Sequence, residues 1–203
     1  MEKKVYEQLQ EIIYTETLDN GLKVTLLPKN DFHKTYGLFS TNFGSIDNQF
    51  VPNGKTEMVT APDGIAHFLE HKLFETKGDD MMNAFSAMGA DVNAFTSYRE
   101  TVYYFSITGE DVEEPLNLLL DFVQDFNITP ESVEKEKGII AQEVAMYAQM
   151  PDQKLLNETY KCLYYNFPMK YDIGGDKKSI YAITKNELEE CYTINYHPSN
   201  MVV

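Results

Sequence analysis

Gly64-Ile-Ala-His67-Phe-Leu-Glu70-His71 places two imidazoles four residues apart with a carboxylate immediately before the second. In an α-helix four residues make just over one turn, so His67 and His71 project from the same face. That spacing lets two ring nitrogens reach one tetrahedral metal ion, with Glu70 near enough to serve a water held there. Only four histidines occur in the chain, and two of them are here. A lone histidine is usually an ordinary core or surface residue; a helically spaced pair with an interposed glutamate is a metal-site pattern. At about 100° per residue, His67, Glu70, His71 and Phe74 take one half of the helix, and Ile65, Ala66, Leu69 and Leu73 mostly the other.

A tetrahedral site needs a third protein ligand and leaves its fourth position to water. The best candidates lie in a helix expected over 131–150. Glu136 and Glu143, seven residues apart, fall within about 20° of each other. They share a stripe with Val133, Ile140, Val144 and Tyr147, while Glu134, Gly138, Ala141, Ala145 and Gln149 take the opposite side. Unpaired carboxylates along an apolar stripe are costly, and a buried cation removes that cost.

Working outward, strands are expected over 14–18 and 22–27, joined by Asp19-Asn20-Gly21, a turn sequence that favours a β-hairpin. A third strand covers 36–43, and 91–97 and 101–108 form another pair. Residues 44–63 read as a long polar loop. Helices are expected over 64–74, 80–88 (closing at Gly89), 111–125, 131–150, 153–164 and 185–196, with Thr129 as an N-cap and Pro130 in the first turn. Strands early and helices late indicate an α+β domain, an antiparallel-rich sheet with helices packed on one face.

The 203 residues suit one domain, and 43% hydrophobic and 13% aromatic residues indicate a globular chain. A net charge of −15 argues against nucleic acid or anionic lipid as a partner. Cys162 and Cys191 are expected to be buried or inert thiols rather than a disulfide. The amino terminus lacks an apolar signal core, which makes the cytoplasm the expected location. Asn200-Met-Val-Val203 reads as the start of a strand, as in a domain cut from a longer protein. His33 and His197 are expected to be structural or exposed. Gly174-Gly175-Asp-Lys-Lys-Ser179 lacks phosphate-loop glycine spacing and reads as a turn before a helix.

His67-Phe-Leu-Glu-His71, followed some seventy residues later by Glu136-Lys-Gly-Ile-Ile-Ala-Gln-Glu143, resembles the pitrilysin/insulinase family of zinc metallopeptidases, the inverzincins that include the mitochondrial processing peptidases. Ala90-Asp-Val-Asn93-Ala94-Phe-Thr96, Asp172-Ile-Gly-Gly175 and Tyr196-His-Pro-Ser-Asn200-Met201 extend the likeness over most of the chain. The resemblance implies that His67, His71 and Glu143 ligate Zn2+, that Glu70 is the general base, and that Glu136 supports the site. It implies an endopeptidase acting on peptides or unfolded segments, with Glu70 passing a water proton to the leaving amine. It further implies that Asn93 and Ala94 contact an extended peptide added along the strand over 91–97. Residues 1–203 would be a single N-terminal catalytic domain whose chamber is closed by a second homologous half or subunit. A non-catalytic partner or structural subunit of a peptidase-like assembly is the competing class. Lys72 departs from the family's usual apolar residue, and on the apolar side of its helix it must snorkel or find a partner. The loop over 44–63 is also longer than the family pattern.

Overall fold

In a computed structural model, residues 1–74, 81–109 and 111–203 are described. The elements in chain order are β1 (Glu2–Tyr6), β2 (Glu11–Thr17), β3 (Lys23–Leu26), β4 (Lys34–Thr41), the short ribbon β5 (Gln49–Phe50) and β6 (Val59–Thr60), and α1 (Ile65–Phe74). There follow α2 (Met81–Ala87), β7 (Ala90–Thr96), β8 (Thr101–Thr108), α3 (Glu113–Gln124), α4 (Pro130–Tyr147), α5 (Pro151–Leu163), α6 (Lys177–Ala182), α7 (Lys185–Asn195) and β9 (Met201–Val202).

Seven strands form one sheet in the order β1-β2-β3-β9-β4-β8-β7. Every pairing is antiparallel except β3 with β9, where Lys23 lies beside Val202. The fold is therefore α+β, as expected, with the two-residue strand β9 joining two antiparallel blocks.

Period-2 alternation decides which face of the sheet is covered. In β4, Phe39 and Thr41 are buried while Tyr36 and Leu38 are exposed. In β7, Ala90 and Val92 are buried while Asp91, Asn93 and Phe95 face outward. Helices α1 and α3 pack on the inward face. The core between the layers joins Phe39, Tyr103 and Phe105 of the sheet with Phe68, Leu69, Leu73, Leu119 and Phe122 of the helices.

Local signals account for most boundaries. Gly21 adopts a φ of 90°, and its N–H donates to the Leu18 carbonyl at 2.8 Å, closing the turn between β2 and β3. Thr129 caps α4 by accepting from Ser132 N at 3.2 Å, with Pro130 as the first helical residue. Gly89, at a φ of 75°, ends the turn after α2. The expected start of that helix, Asp80, lies outside the described residues.

One strand was not read, and two readings need correction. Residues 2–6 form a strand; the charged, exposed Glu2, Lys3 and Lys4 gave no hydrophobic alternation to detect. The stretch over 44–63 is not wholly irregular, since Gln49 and Phe50 pair with Thr60 and Val59. Cys162 is exposed rather than buried; both cysteines are free thiols, as expected. Among the described residues, no helix is long and apolar enough to cross a membrane.

Candidate metal centre

Helix α1 buries Ile65, Phe68, Leu69 and Leu73 and turns His67 and Glu70 towards a cavity at its edge, with His71 one turn on from His67. Helix α4 buries Val133, Glu136 and Ile140, which presents Glu143 at the same place from the other side. His67 Nε2 lies 3.7 Å from Glu143 Oε1, and His71 Nε2 lies 3.2 Å from Glu143 Oε2. The atoms that these three residues could offer to a metal all fall within 4.8 Å of one another.

This donor set fits a tetrahedral zinc ion. Ligands about 2.0–2.2 Å from such an ion stand roughly 3.4 Å from each other, and the observed 3.7 and 3.2 Å separations bracket that value. His71 also has the support usual for a ligating imidazole, because its other nitrogen, Nδ1, lies 3.0 Å from Glu136 Oε1. His67 Nδ1 is buried and has no hydrogen-bond partner among the described residues. It abuts Gly174, where an added Cβ would lie 3.4 Å from it and 2.7 Å from Val144 Cγ2.

Lys72, 1% exposed, finds partners instead of reaching solvent. Its Nζ donates to the Ser132 carbonyl at 3.4 Å and sits 4.0 Å from Glu136 Oε2. Glu136 thus lies between a histidine and a buried ammonium.

Burial sets the direction of the shift at His67 and Glu70 and is outweighed at His71 and Glu136. It pulls the His67 imidazole down to about 4, with His71 adding repulsion, so His67 is neutral and lone-pair bearing near neutral pH. For His71 burial acts downward too, but the bond to Glu136 and the charges of Glu143 and Glu70 outweigh it and raise its pKa. Burial pushes Glu70 upward, against the lowering effect of its bond to Thr96. Glu136 resists its own burial, and His71 and Lys72 bring its carboxyl below the usual range.

The cavity holds about 270 Å³, and His67, Glu70, Thr96, Glu143, Tyr147 and Asp172 are among the residues that line it. Ala94 also lines it; Asn93 does not, and its Oδ1 instead accepts from the Ala94 N–H at 2.8 Å. Asp172 is held at the rim, accepting from Asn157 Nδ2 at 2.6 Å and from Gly174 N at 2.9 Å. His33 and His197 are exposed and away from this cluster.

Residues 51–177 match the family model described as Insulinase (Peptidase family M16). The chain belongs to peptidase family M16. The M16 chain is 54% identical over 198 residues to YmfH, named an uncharacterized zinc protease, of Bacillus subtilis, covering 98% of this chain and 46% of that protein. It superimposes on a crystal structure of an M16-like peptidase from Alicyclobacillus acidocaldarius with a TM-score of 0.89 at 47% identity, covering 95% of this chain and 45% of that one. It also shares its fold, at TM-score 0.77 and 20% identity, with a Pseudomonas fluorescens structure named a peptidase M16 inactive domain, covering 94% of this chain and 45% of that one. The M16 chain therefore spans less than half the length of these relatives.

Thr96 and Asp172 stand in motifs quoted from the sequence but carried no assigned part there. Strand alternation offered a signal for Thr96, since 92, 94 and 96 share the inward side of β7. Nothing local flags Asp172, which is tied to α5 through its bond from Asn157.

Proposed function

We propose that this chain is the zinc-binding, catalytic part of an endopeptidase that hydrolyses peptides or unfolded segments. The observation that carries the reading is the convergence of His67, His71 and Glu143, at a cavity that His67, Glu70 and Glu143 line together. His67, His71 and Glu143 hold the ion, and Glu136 fixes the ring of His71 through Nδ1. Zinc, when bound, supplies a Lewis acid that acidifies water and polarises the scissile carbonyl.

Glu70 takes the proton of the attacking water and delivers it to the departing amine nitrogen. A carboxyl whose pKa is raised by burial suits that exchange, because a group that both accepts and returns a proton works best near the working pH. The outer edge of β7, which borders the cavity at Ala94, receives the peptide as an added strand. For that strand to engage the Ala94 N–H, the Asn93 side chain must release it. A second homologous half or subunit closes the chamber, a reading supported by relatives about twice as long as this chain.

A non-catalytic subunit is the rival reading, and the inactive-domain name of the Pseudomonas neighbour gives it substance. Against it stand the complete His-His-Glu set and the retained Glu70. Glu70→Gln separates the two. Zinc content should stay at one per chain, while hydrolysis of an unfolded polypeptide by the full-length protein falls about 10²- to 10⁴-fold. Normal cleavage by that variant overturns the assignment of Glu70, and a zinc-loaded wild type without cleavage favours the subunit.

A further inference from the structure

Glu70 is held by one hydroxyl. Thr96 Oγ1 donates to Glu70 Oε2 at 2.6 Å, the only hydrogen bond to that carboxylate among the described residues. A threonine has a single hydroxyl proton, and its surroundings decide where that proton goes. Thr101, fully buried and paired with Thr96 on the last rung between β7 and β8, brings its Oγ1 to 3.5 Å. Its own proton has the Phe43 carbonyl at 2.9 Å and the Tyr196 hydroxyl as acceptors, so it offers Thr96 lone pairs. Between a 3.5 Å hydroxyl and a 2.6 Å carboxylate, the charge-assisted bond wins, being shorter and roughly twice as strong as a neutral one. The Thr96 proton therefore points to Glu70.

We propose that Thr96 is the positioning residue for the general base, pinning Oε2 of Glu70 so that Oε1 is the oxygen that works. This rests on the peptidase reading above. In the hydrolytic step an O–H bond of water breaks and its proton goes to Oε1 while the water oxygen bonds to the carbonyl carbon. The C–N bond then breaks, and the nitrogen takes the proton back from Oε1. Thr96 keeps its proton throughout. Glutamate has three side-chain torsions, and without the hydroxyl Glu70 would sample several rotamers in the cavity. Thr96 also ends the edge strand, so one residue joins the proposed path of the peptide to the group that attacks it.

The test compares Thr96→Val, which removes the donor at similar volume, with Thr96→Ser, which keeps it. In the metal-free chain labelled with ¹³C at glutamate side-chain carboxyls, the Glu70 resonance is the one lost in Glu70→Gln. That resonance should move in Thr96→Val and return in Thr96→Ser. In the zinc-loaded full-length protein, Thr96→Val should lower kcat about 10- to 100-fold, as expected for a misplaced catalytic group. Its KM and zinc content should hold, and Thr96→Ser should recover most of the rate. Should valine distort the strand, Thr96→Ala repeats the comparison without added bulk.

An unmoved Glu70 resonance, loss of zinc in the variants, or a serine variant as slow as valine overturns the proposal. A zinc-loaded wild type that cleaves nothing overturns the peptidase reading and with it the catalytic role of Thr96. The carboxyl resonance separately decides whether Thr96 holds Glu70.

Discussion

Glu136 Oε1 lies 3.0 Å from His71 Nδ1, on the side of the ring opposite the 3.2 Å contact between Nε2 and Glu143. The imidazole is clamped between two carboxylates of one helix, seven residues apart in sequence. Replacing the rear carboxylate with an amide keeps the shape and discards the charge that makes His71 a stronger donor. Glu136→Gln is expected to weaken zinc binding about 10- to 100-fold. Glu143→Ala should weaken it more, by removing a proposed ligand outright. Competition against a chromogenic chelator measures both, and equal affinity in Glu136→Gln and wild type would remove Glu136 from the site.

Gly174 and Gly138 should respond to alanine in opposite directions. A Cβ on Gly174 would press on Val144 Cγ2 at 2.7 Å and His67 Nδ1 at 3.4 Å. Overpacking of this kind costs about 1–3 kcal/mol, and here it also pushes on a proposed ligand. Gly174→Ala should lower both the melting temperature and zinc affinity. Gly138 is inside α4 with nothing within 4 Å of its added Cβ. Gly138→Ala should stabilise the chain by about 0.5–1 kcal/mol through helix propensity, read as a rise in urea midpoint with zinc affinity unchanged.

Acid should unfold the metal-free chain partly through His67. Its folded-state pKa of about 4 lies below the ordinary 6.5, so its contribution is fully present above pH 6.5 and is lost as pH falls towards 4. The full loss is about 3 kcal/mol. His71 acts in the opposite sense: its raised pKa gives stability below pH 6.5 that fades as pH rises through the folded value. In the presence of a chelator, His67→Gln should therefore lose less stability than wild type between pH 6.5 and 4. Urea midpoints at pH 7 and 4.5 give the comparison, and parallel losses in the two proteins would contradict it.

The two thiols should be kinetically distinct. Cys162 is exposed, whereas Cys191 is buried with its thiol pushed up to about 12, mainly by burial, with Glu187 and Glu190 adding. An aromatic disulfide reagent should modify Cys162 at once and Cys191 only as the chain opens. Because the folded pKa of Cys191 is raised from 9.0, its contribution is intact below pH 9 and lost as pH climbs towards 12. Cys191→Val should flatten that alkaline loss, monitored by circular dichroism from pH 8 to 11.

Where residues carry their own periodicity, the sequence was sufficient. The four-residue step from His67 to His71 and the seven-residue step from Glu136 to Glu143 are helical arithmetic, and both helices formed over those residues. Their meeting was legible only through cost, as two carboxylates on a stripe that buries Val133 and Ile140. Strand β1 escaped because Glu2, Lys3 and Lys4 look like a solvated tail; its pairing with β2 comes from backbone bonds that no side-chain pattern announces. Asp172 escaped for a different reason, since its bond to Asn157 spans fifteen residues and depends on where α5 ends. For Lys72 the sequence left two alternatives, snorkelling or a partner, and the packing of α1 on α4 supplied the partner.

The two-residue strand β9 sets the order in which this sheet is assembled. Met201 and Val202 sit between β3 and β4 and, with the bonds of Val203 to Lys23 and Thr25, bridge the amino-terminal hairpins to the block that carries the edge strand beside Glu70. A ribosome releases Lys23 long before its neighbour Val202 exists, so the centre of the sheet stays unzipped until that residue has been made. Pairings so distant along the chain slow folding and leave strand edges open to wrong partners. Nascent chains halted before residue 201 should accordingly recruit chaperones until those last rungs are supplied.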